Sequence, residues 1–190
     1  LMIDANENLV NSAKRIVSHY SHGLRILNIL VNKSNVNQIK KNTQFLDPDI
    51  FSLDIDSMDY YVAQELFDAG FRPKIFIVEY NSAFGPKESI TIKYSNNFVF
   101  GKDHPSYLYY GVSVQGWKTF FENKGYKFIT VDSNGVNAFF VDPKYYDNNF
   151  LDNINPVDFM ENQLQKDKFR SDYKKQFEMI KHLSYHQIKE

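Results

Sequence analysis

Two apolar runs, residues 126–132 (YKFITVD) and 136–142 (VNAFFVD), are separated only by Ser133-Asn134-Gly135. Asn-Gly between apolar runs is the strongest short-range signal for a hairpin. A parallel return would need a crossover of about a dozen residues or more, so these two strands must be antiparallel. Upstream, strand-like and helix-like segments alternate, which argues for parallel strands joined by right-handed crossovers. The reading that satisfies both is an α/β domain with a mainly parallel sheet that closes on an antiparallel hairpin.

The elements follow from periodicity. Residues 1–3 are an apolar triplet running into Asp4. Beyond them, residues 7–20 place Leu9, Ala13, Ile16, Val17 and Tyr20 on one helical face, with Asn6 in a position to cap. A short apolar run at 24–31 precedes a brief helix at 35–42. Residues 48–55 (PDIFSLDI) and 73–80 (PKIFIVEY) are apolar on both faces, as strands covered by helices on each side should be. Between them a helix over 58–69 stops at Gly70. Residues 81–111 form a loop too long for a plain connection, which suggests a functional loop or lid. Val114, Trp117, Phe120 and Phe121 mark a helix ended by Gly125. From 144 to 190 the chain is polar and helical, with Phe169, Tyr173, Phe177 and Ile180 at helical spacing. That extension is expected to pack on the domain or on a second copy.

Charge and composition narrow the partners. Lys and Arg number 22 against 23 Asp and Glu, a net charge of -1, which gives no electrostatic reason to bind nucleic acid or an acidic membrane. The chain has no cysteine, which excludes disulfides, thiolate metal sites and a cysteine nucleophile, and is compatible with the cytoplasm. No apolar run approaches the roughly 20 residues of a membrane span.

Three ordered blocks carry a family resemblance: FSLDIDSMDYYV, RPKIFIVEYNSAFGPKESITIKY and GYKFITVDSNGVNAFFVDP. Together they resemble the FkbM-like S-adenosylmethionine-dependent methyltransferases, over about residues 1–143. The resemblance implies a three-layer, Rossmann-like, seven-stranded sheet with an antiparallel last strand, and O-methylation of a sugar, glycan or small hydroxylated acceptor. The other class in view is a noncatalytic binding or assembly domain of the same fold. The opening LMIDANENLV, strand-like from its first residue and without an initiating methionine, reads as a chain entered mid-domain. By the resemblance, the first strand and glycine-rich cofactor loop would precede Leu1. The expected consequences are an open strand edge beside residues 1–3 and weak cofactor binding by this chain alone.

Candidate site residues lie at strand ends, because ligands of open parallel sheets bind outside the carboxyl ends of the strands. Asp4 suits two ribose hydroxyls or, equally, an ordinary helix cap. Asp54, Asp56 and Asp59 follow one buried strand, and Glu79 and Asn81 follow the next. Asp54 and Glu79 are the candidate catalytic acids, with Asp54 also a cofactor candidate, while Asp56 and Asp59 have helix capping as the competing role. Asp54, Asp56, Glu79 and Asn81 together form a hard-oxygen set suited to Mg²⁺ or Ca²⁺. His104, in a loop, is a candidate general base or a plain surface residue. His19, His22, His182 and His186 read as solvent-facing, and HLSYH lacks the acid of a zinc-protease motif. The run 106–111 (SYLYYG) reads as packing beneath the loop or as a stacking surface, and Asn134 and Asn137 as turn residues.

Overall fold

The computed structural model describes residues 1–17 and 23–189. His19, Tyr20 and His22 lie outside them. In chain order the elements are β1 (Met2–Asp4), α1 (Glu7–Val17), β2 (Ile26–Asn28), α2 (Val36–Asn42), β3 (Ile50–Leu53), α3 (Asp59–Asp68), β4 (Ile75–Glu79), β5 (Ile90–Ile92) and α4 (Val114–Asn123). They continue with β6 (Lys127–Val131), β7 (Asn137–Val141), α5 (Asn148–Asp152), α6 (Gln163–Phe169), α7 (Tyr173–Glu178) and β8 (Tyr185–Gln187). Short 3-10 turns stand at Ser82–Phe84 and Pro143–Tyr145.

The strands form three sheets, β1-β2, β3-β4-β7-β6 and β5-β8, of which the four-stranded one is mixed, rather than one mainly parallel sheet. β1 pairs with β2 and β3 with β4 in parallel, whereas β4-β7, β6-β7 and β5-β8 are antiparallel. The expectation of a mainly parallel sheet is therefore corrected. The hairpin is antiparallel as its turn demands, and its second strand inserts beside β4. The largest sheet thus has one parallel and two antiparallel pairings. β1 and β3 do not meet, and Leu1 and Ile3 face Ile50, Phe51 and Leu53 across a cleft of about 270 Å³.

One face of the four-stranded sheet is packed by α3 and α4. Phe76 and Val78 of β4 and Ala138 and Phe140 of β7 are fully buried there, alternating with half-buried neighbours as the period of two requires. The ring of Phe121 stacks on Phe140 at 4.2 Å, and Phe67 stacks on Phe76 at 5.8 Å. Trp117 is wholly buried against Phe120 and Phe121. β3 is not apolar-buried on both faces: Ile50 and Ser52 are exposed and only Leu53 is buried. α1 likewise buries only Val10, leaving Leu9 and Ile16 exposed, so its predicted apolar face is not covered by the described residues.

Caps and turns follow the sequence signals. Asn6 Oδ1 accepts from the Asn8 and Leu9 amides, and Ser113 Oγ from Gly116, satisfying donors that a helix start leaves free. Gly70 and Gly125, at φ 98° and 82°, close α3 and α4. In the hairpin turn Asp132 accepts from the amides of Val136 and Asn137 and from the Asn137 side chain, so Asn137 is turn chemistry. The Asn134 carbonyl accepts from Gln163, which ties the turn to the C-terminal segment.

That segment is more than a helical extension. β8 pairs with β5 from within the 81–111 loop, and Phe177 and Tyr185 pack on Phe84. The helical spacing of Phe169 to Ile180 is broken at Arg170, which adopts φ 48°, and Asp172 caps a new helix. Residues 81–111 are therefore a pinned loop, and Leu108 and Tyr110 are buried under it while Tyr107 stays exposed. No helix among the described residues is long and apolar enough to cross a membrane.

The hairpin turn yields a direct test. Gly135 has φ 72°, and a Cβ there would lie 2.5 Å from the Glu161 carbonyl oxygen, whereas a Cβ at Gly125 meets nothing within 4 Å. Gly135→Ala should cost about 2–4 kcal/mol in urea unfolding, and Gly125→Ala only about 1 kcal/mol of backbone strain. Equal costs would show that the C-terminal segment does not press on the turn.

Candidate functional site

The site lies at the carboxyl ends of the parallel pair β3-β4, where both strands leave the sheet. Asp54 and Asp56 follow β3, and Glu79 is the last residue of β4. Carboxylate oxygens of the three lie within 4.8 Å of one another. Asp56 is held at φ 52°, a left-handed conformation unusual for a residue with a side chain.

Asp59 takes the structural role that competed with ligand binding. It is buried, and its two oxygens accept from the amides of Ile55 and Ser57 at 3.0 Å each. It thus folds the chain between β3 and α3 back on itself. Burial pushes its carboxyl up to about 6, against the lowering effect of those amides.

Glu79 is the most perturbed acid. Desolvation first, then the negative charges of Asp54, Asp59 and Asp56, push its carboxyl up to about 10, and a hydrogen bond with Asp54 adds to the effect. Burial and the Asp54 charge also raise Asp56. All the charges acting on Glu79 are negative. Such a cluster holds together by keeping a proton on one of its carboxyls or by accepting a cation.

The strand-end residue after Glu79's neighbour does another job. Asn81 is fully buried, its amide nitrogen donates to the Leu108 and Tyr110 carbonyls at 2.6 and 3.0 Å, and its oxygen accepts from Ala83 at 3.1 Å. It staples the long loop to β4, leaving three carboxylates rather than three carboxylates and an amide at the site. His104 has Nδ1 2.7 Å from Ser106 Oγ and its ring 6.2 Å from His182, and no hydrogen bond joins it to the acids among the described residues. Asp4, at the end of β1, has one oxygen committed to the Asn6 amide at 2.7 Å. His182 is exposed in a turn, and His186 is on β8, with its ring 5.6 Å from that of Tyr60.

The structure adds two groups that the strand-end logic did not reach. The buried Tyr110 hydroxyl donates to Glu79 Oε1 at 3.3 Å, and the Trp117 indole N–H donates to the Glu79 carbonyl at 2.7 Å. Both come from sequence that reads as packing.

Fold and site thus define an α/β protein with mixed sheets and a carboxylate cluster at the mouth of its one parallel pair in the largest sheet. Comparison with protein-family models, curated proteins and solved structures found no match.

The pH dependence follows from the two raised acids. Each binds its proton more tightly in the folded chain than at its ordinary value of 4.5 for Glu79 or 3.8 for Asp59. Their contribution to stability is therefore greatest below those values and falls as pH rises, through about 6 for Asp59 and about 10 for Glu79. Without divalent cations, Glu79→Gln should be more stable than the unmutated chain near pH 8 by roughly 1–3 kcal/mol, the difference shrinking below about pH 5. Destabilisation near pH 8 would mean that the cluster's charge is already compensated.

Proposed function

We propose that the protein is an S-adenosylmethionine-dependent O-methyltransferase acting on a sugar, glycan or other small hydroxylated acceptor. The observation that carries this reading is the seating of β7, antiparallel, between β4 and β6, with three carboxylates gathered beside it at the ends of β3 and β4. The seven-stranded methyltransferase pattern implied by the sequence resemblance ends in such an antiparallel strand. Carboxyl ends of adjacent parallel strands are also where sheets of this kind bind ligands.

S-adenosylmethionine supplies a methyl group on a sulfonium: the acceptor oxygen forms a C–O bond as the C–S bond breaks, and the acceptor loses one proton. The chain's part is to bind, orient and take that proton. Asp54 is the base, since it is exposed enough to reach an acceptor and its carboxylate lies within 4.8 Å of Glu79 and Asp56. The uncompensated negative charge of the cluster suits a sulfonium cation close by. Asp4 offers a ribose hydroxyl the carboxylate oxygen that the Asn6 turn does not use. The base is assigned to the acids and not to His104, whose ring nitrogen is engaged with Ser106.

Asp54, Asp56 and Glu79 also fit a divalent cation of the hard, oxygen-seeking kind, because all three donors are carboxylates and no basic side chain is among the groups acting on Glu79. Mg²⁺ there would lower the acceptor hydroxyl's pKa.

Methyl transfer to hydroxylated sugars, followed with and without chelator, tests the reading. Activity should fall by about 100-fold or more in Asp54→Asn, the usual scale for losing a positioned base. Loss in chelator restored by Mg²⁺ supports the cation. Full activity in chelator with both Asp54→Asn and Glu79→Gln leaves the acids a structural role. Failure of the full-length protein to bind S-adenosylmethionine in calorimetry overturns the methyltransferase.

A further inference from the structure

A chain of hydrogen bonds runs from the C-terminal segment into the acid cluster, and each link has a direction. The Asn162 backbone N–H donates to Ser82 Oγ at 2.9 Å. With that oxygen accepting, the Ser82 hydroxyl proton goes to Gln165 Oε1 at 3.2 Å. The opposite end of the same amide, Gln165 Nε2, donates to the Tyr110 hydroxyl at 3.2 Å. A phenol has a single proton to give, and here it goes to Glu79 Oε1 at 3.3 Å. Asn162 Oδ1 in turn accepts from the Gln165 amide N–H at 3.1 Å, so the residue that starts the chain also caps the helix carrying its middle link.

These residues come from four separate places. Glu79 ends β4, Ser82 opens the following 3-10 turn, Tyr110 lies at the far end of the long loop, and Gln165 is in α6. Tyr110 is 4% exposed and cannot exchange its protein partners for bulk water. Buried hydroxyls in such networks take their orientation from their neighbours, and a satisfied network fixes one arrangement.

We propose that Gln165 is a positioning residue for the acid cluster: by donating to the Tyr110 oxygen it commits the Tyr110 proton to Glu79, making residues 144–189 part of the site. The proposal rests on the reading of Asp54, Asp56 and Glu79 as the working groups. Its consequence is that Glu79 presents Oε1 to Tyr110 only while α6 is docked. The C-terminal segment then acts on the orientation of a site residue through Tyr110. Gln165 is half-buried in a short helix.

The experiment uses carboxyl-carbon NMR of Glu79 in the full chain, with calcium titrated into the same samples. Gln165→Glu is nearly isosteric but replaces the donating amide nitrogen with an acceptor, which draws the Tyr110 proton away from Glu79. Tyr110→Phe removes that proton outright. Both variants should move the Glu79 carboxyl signal in the same direction, and the double variant should move it no further, because the second change acts on a link already broken. A purely structural role predicts additive shifts, and additive shifts, or an unmoved Glu79 signal in Gln165→Glu, overturn the proposal. Should Tyr110→Phe not fold, the Gln165→Glu shift decides alone, with Gln165→Met as the variant that loses the donor without gaining an acceptor. Calcium affinity should fall about tenfold in Gln165→Met, the scale seen when a partner of a metal ligand is lost. A calcium-silent unmutated chain refutes the cation reading, and the Glu79 shifts still decide the relay.

Discussion

Phe76 opposite Phe140, in the β4-β7 register, is the pairing on which the rest of the structure depends. Both side chains are fully buried, one against Phe67 of α3 and the other stacked on Phe121 of α4. Two large rings placed directly across an antiparallel pair can only be buried together if the register is kept, because a slip by one residue turns both to the opposite face. The register also puts Glu79 opposite Asn137, and Asn137 is tied to Asp132 in the hairpin turn. The core thereby fixes how far β4 extends beyond its partner and where its terminal carboxylate emerges.

The acid cluster sits against this rigid base and works against it. Gathering three carboxylates within 4.8 Å, with a fourth buried at Asp59, lowers stability unless protons or cations intervene. Asp59 is offset by two backbone amides, and its carboxyl rises less than that of Glu79, on which no such amide acts. Among the described residues the Glu79 carboxyl accepts from the Tyr110 hydroxyl, and no backbone amide lowers it. An uncompensated group of this kind is what one expects where binding, and not folding, supplies the missing partner. Asp56 at positive φ belongs to the same economy, a strained backbone next to a site and away from the aromatic core.

What the sequence made legible were features with a short-range cause. The hairpin was readable because Asn134-Gly135 leaves no room for a crossover, and α3 and α4 because Gly70 and Gly125 end their apolar periods. Asp54, Asp56 and Glu79 could be proposed as neighbours because parallel strands bring their ends together. Asn81 fits the same strand-end logic, but its role depends on the Leu108 and Tyr110 carbonyls nearly thirty positions away, which no local pattern reveals. The mainly parallel sheet failed for a similar reason. β5 and β8 are three residues each, too short for a periodic signal, and pair across almost the whole second half of the chain, Ile90 with Gln187. The long helix suggested by Phe169, Tyr173, Phe177 and Ile180 fails because burial, and not continuous helix, sets their spacing around the break at Arg170.

The long loop and the C-terminal segment account for each other. Alone, residues 81–111 would expose the backbone of β5 and the rings of Phe84 and Tyr109, and residues 163–189 would be two short helices and an isolated three-residue strand. Elements of that length are unstable in isolation. Docked, β8 covers the edge of β5, Tyr185 packs between Phe84 and Tyr109, and the Tyr109 hydroxyl donates to the Ser184 carbonyl at 2.5 Å. Because the two pieces order together, and because Tyr110 follows Tyr109 directly, whatever loosens the C-terminal segment also loosens the side chain facing Glu79. The distance in sequence between Ile90 and Gln187 makes this closure entropically costly, and the burial of the Phe84, Tyr109 and Tyr185 rings is what offsets that cost.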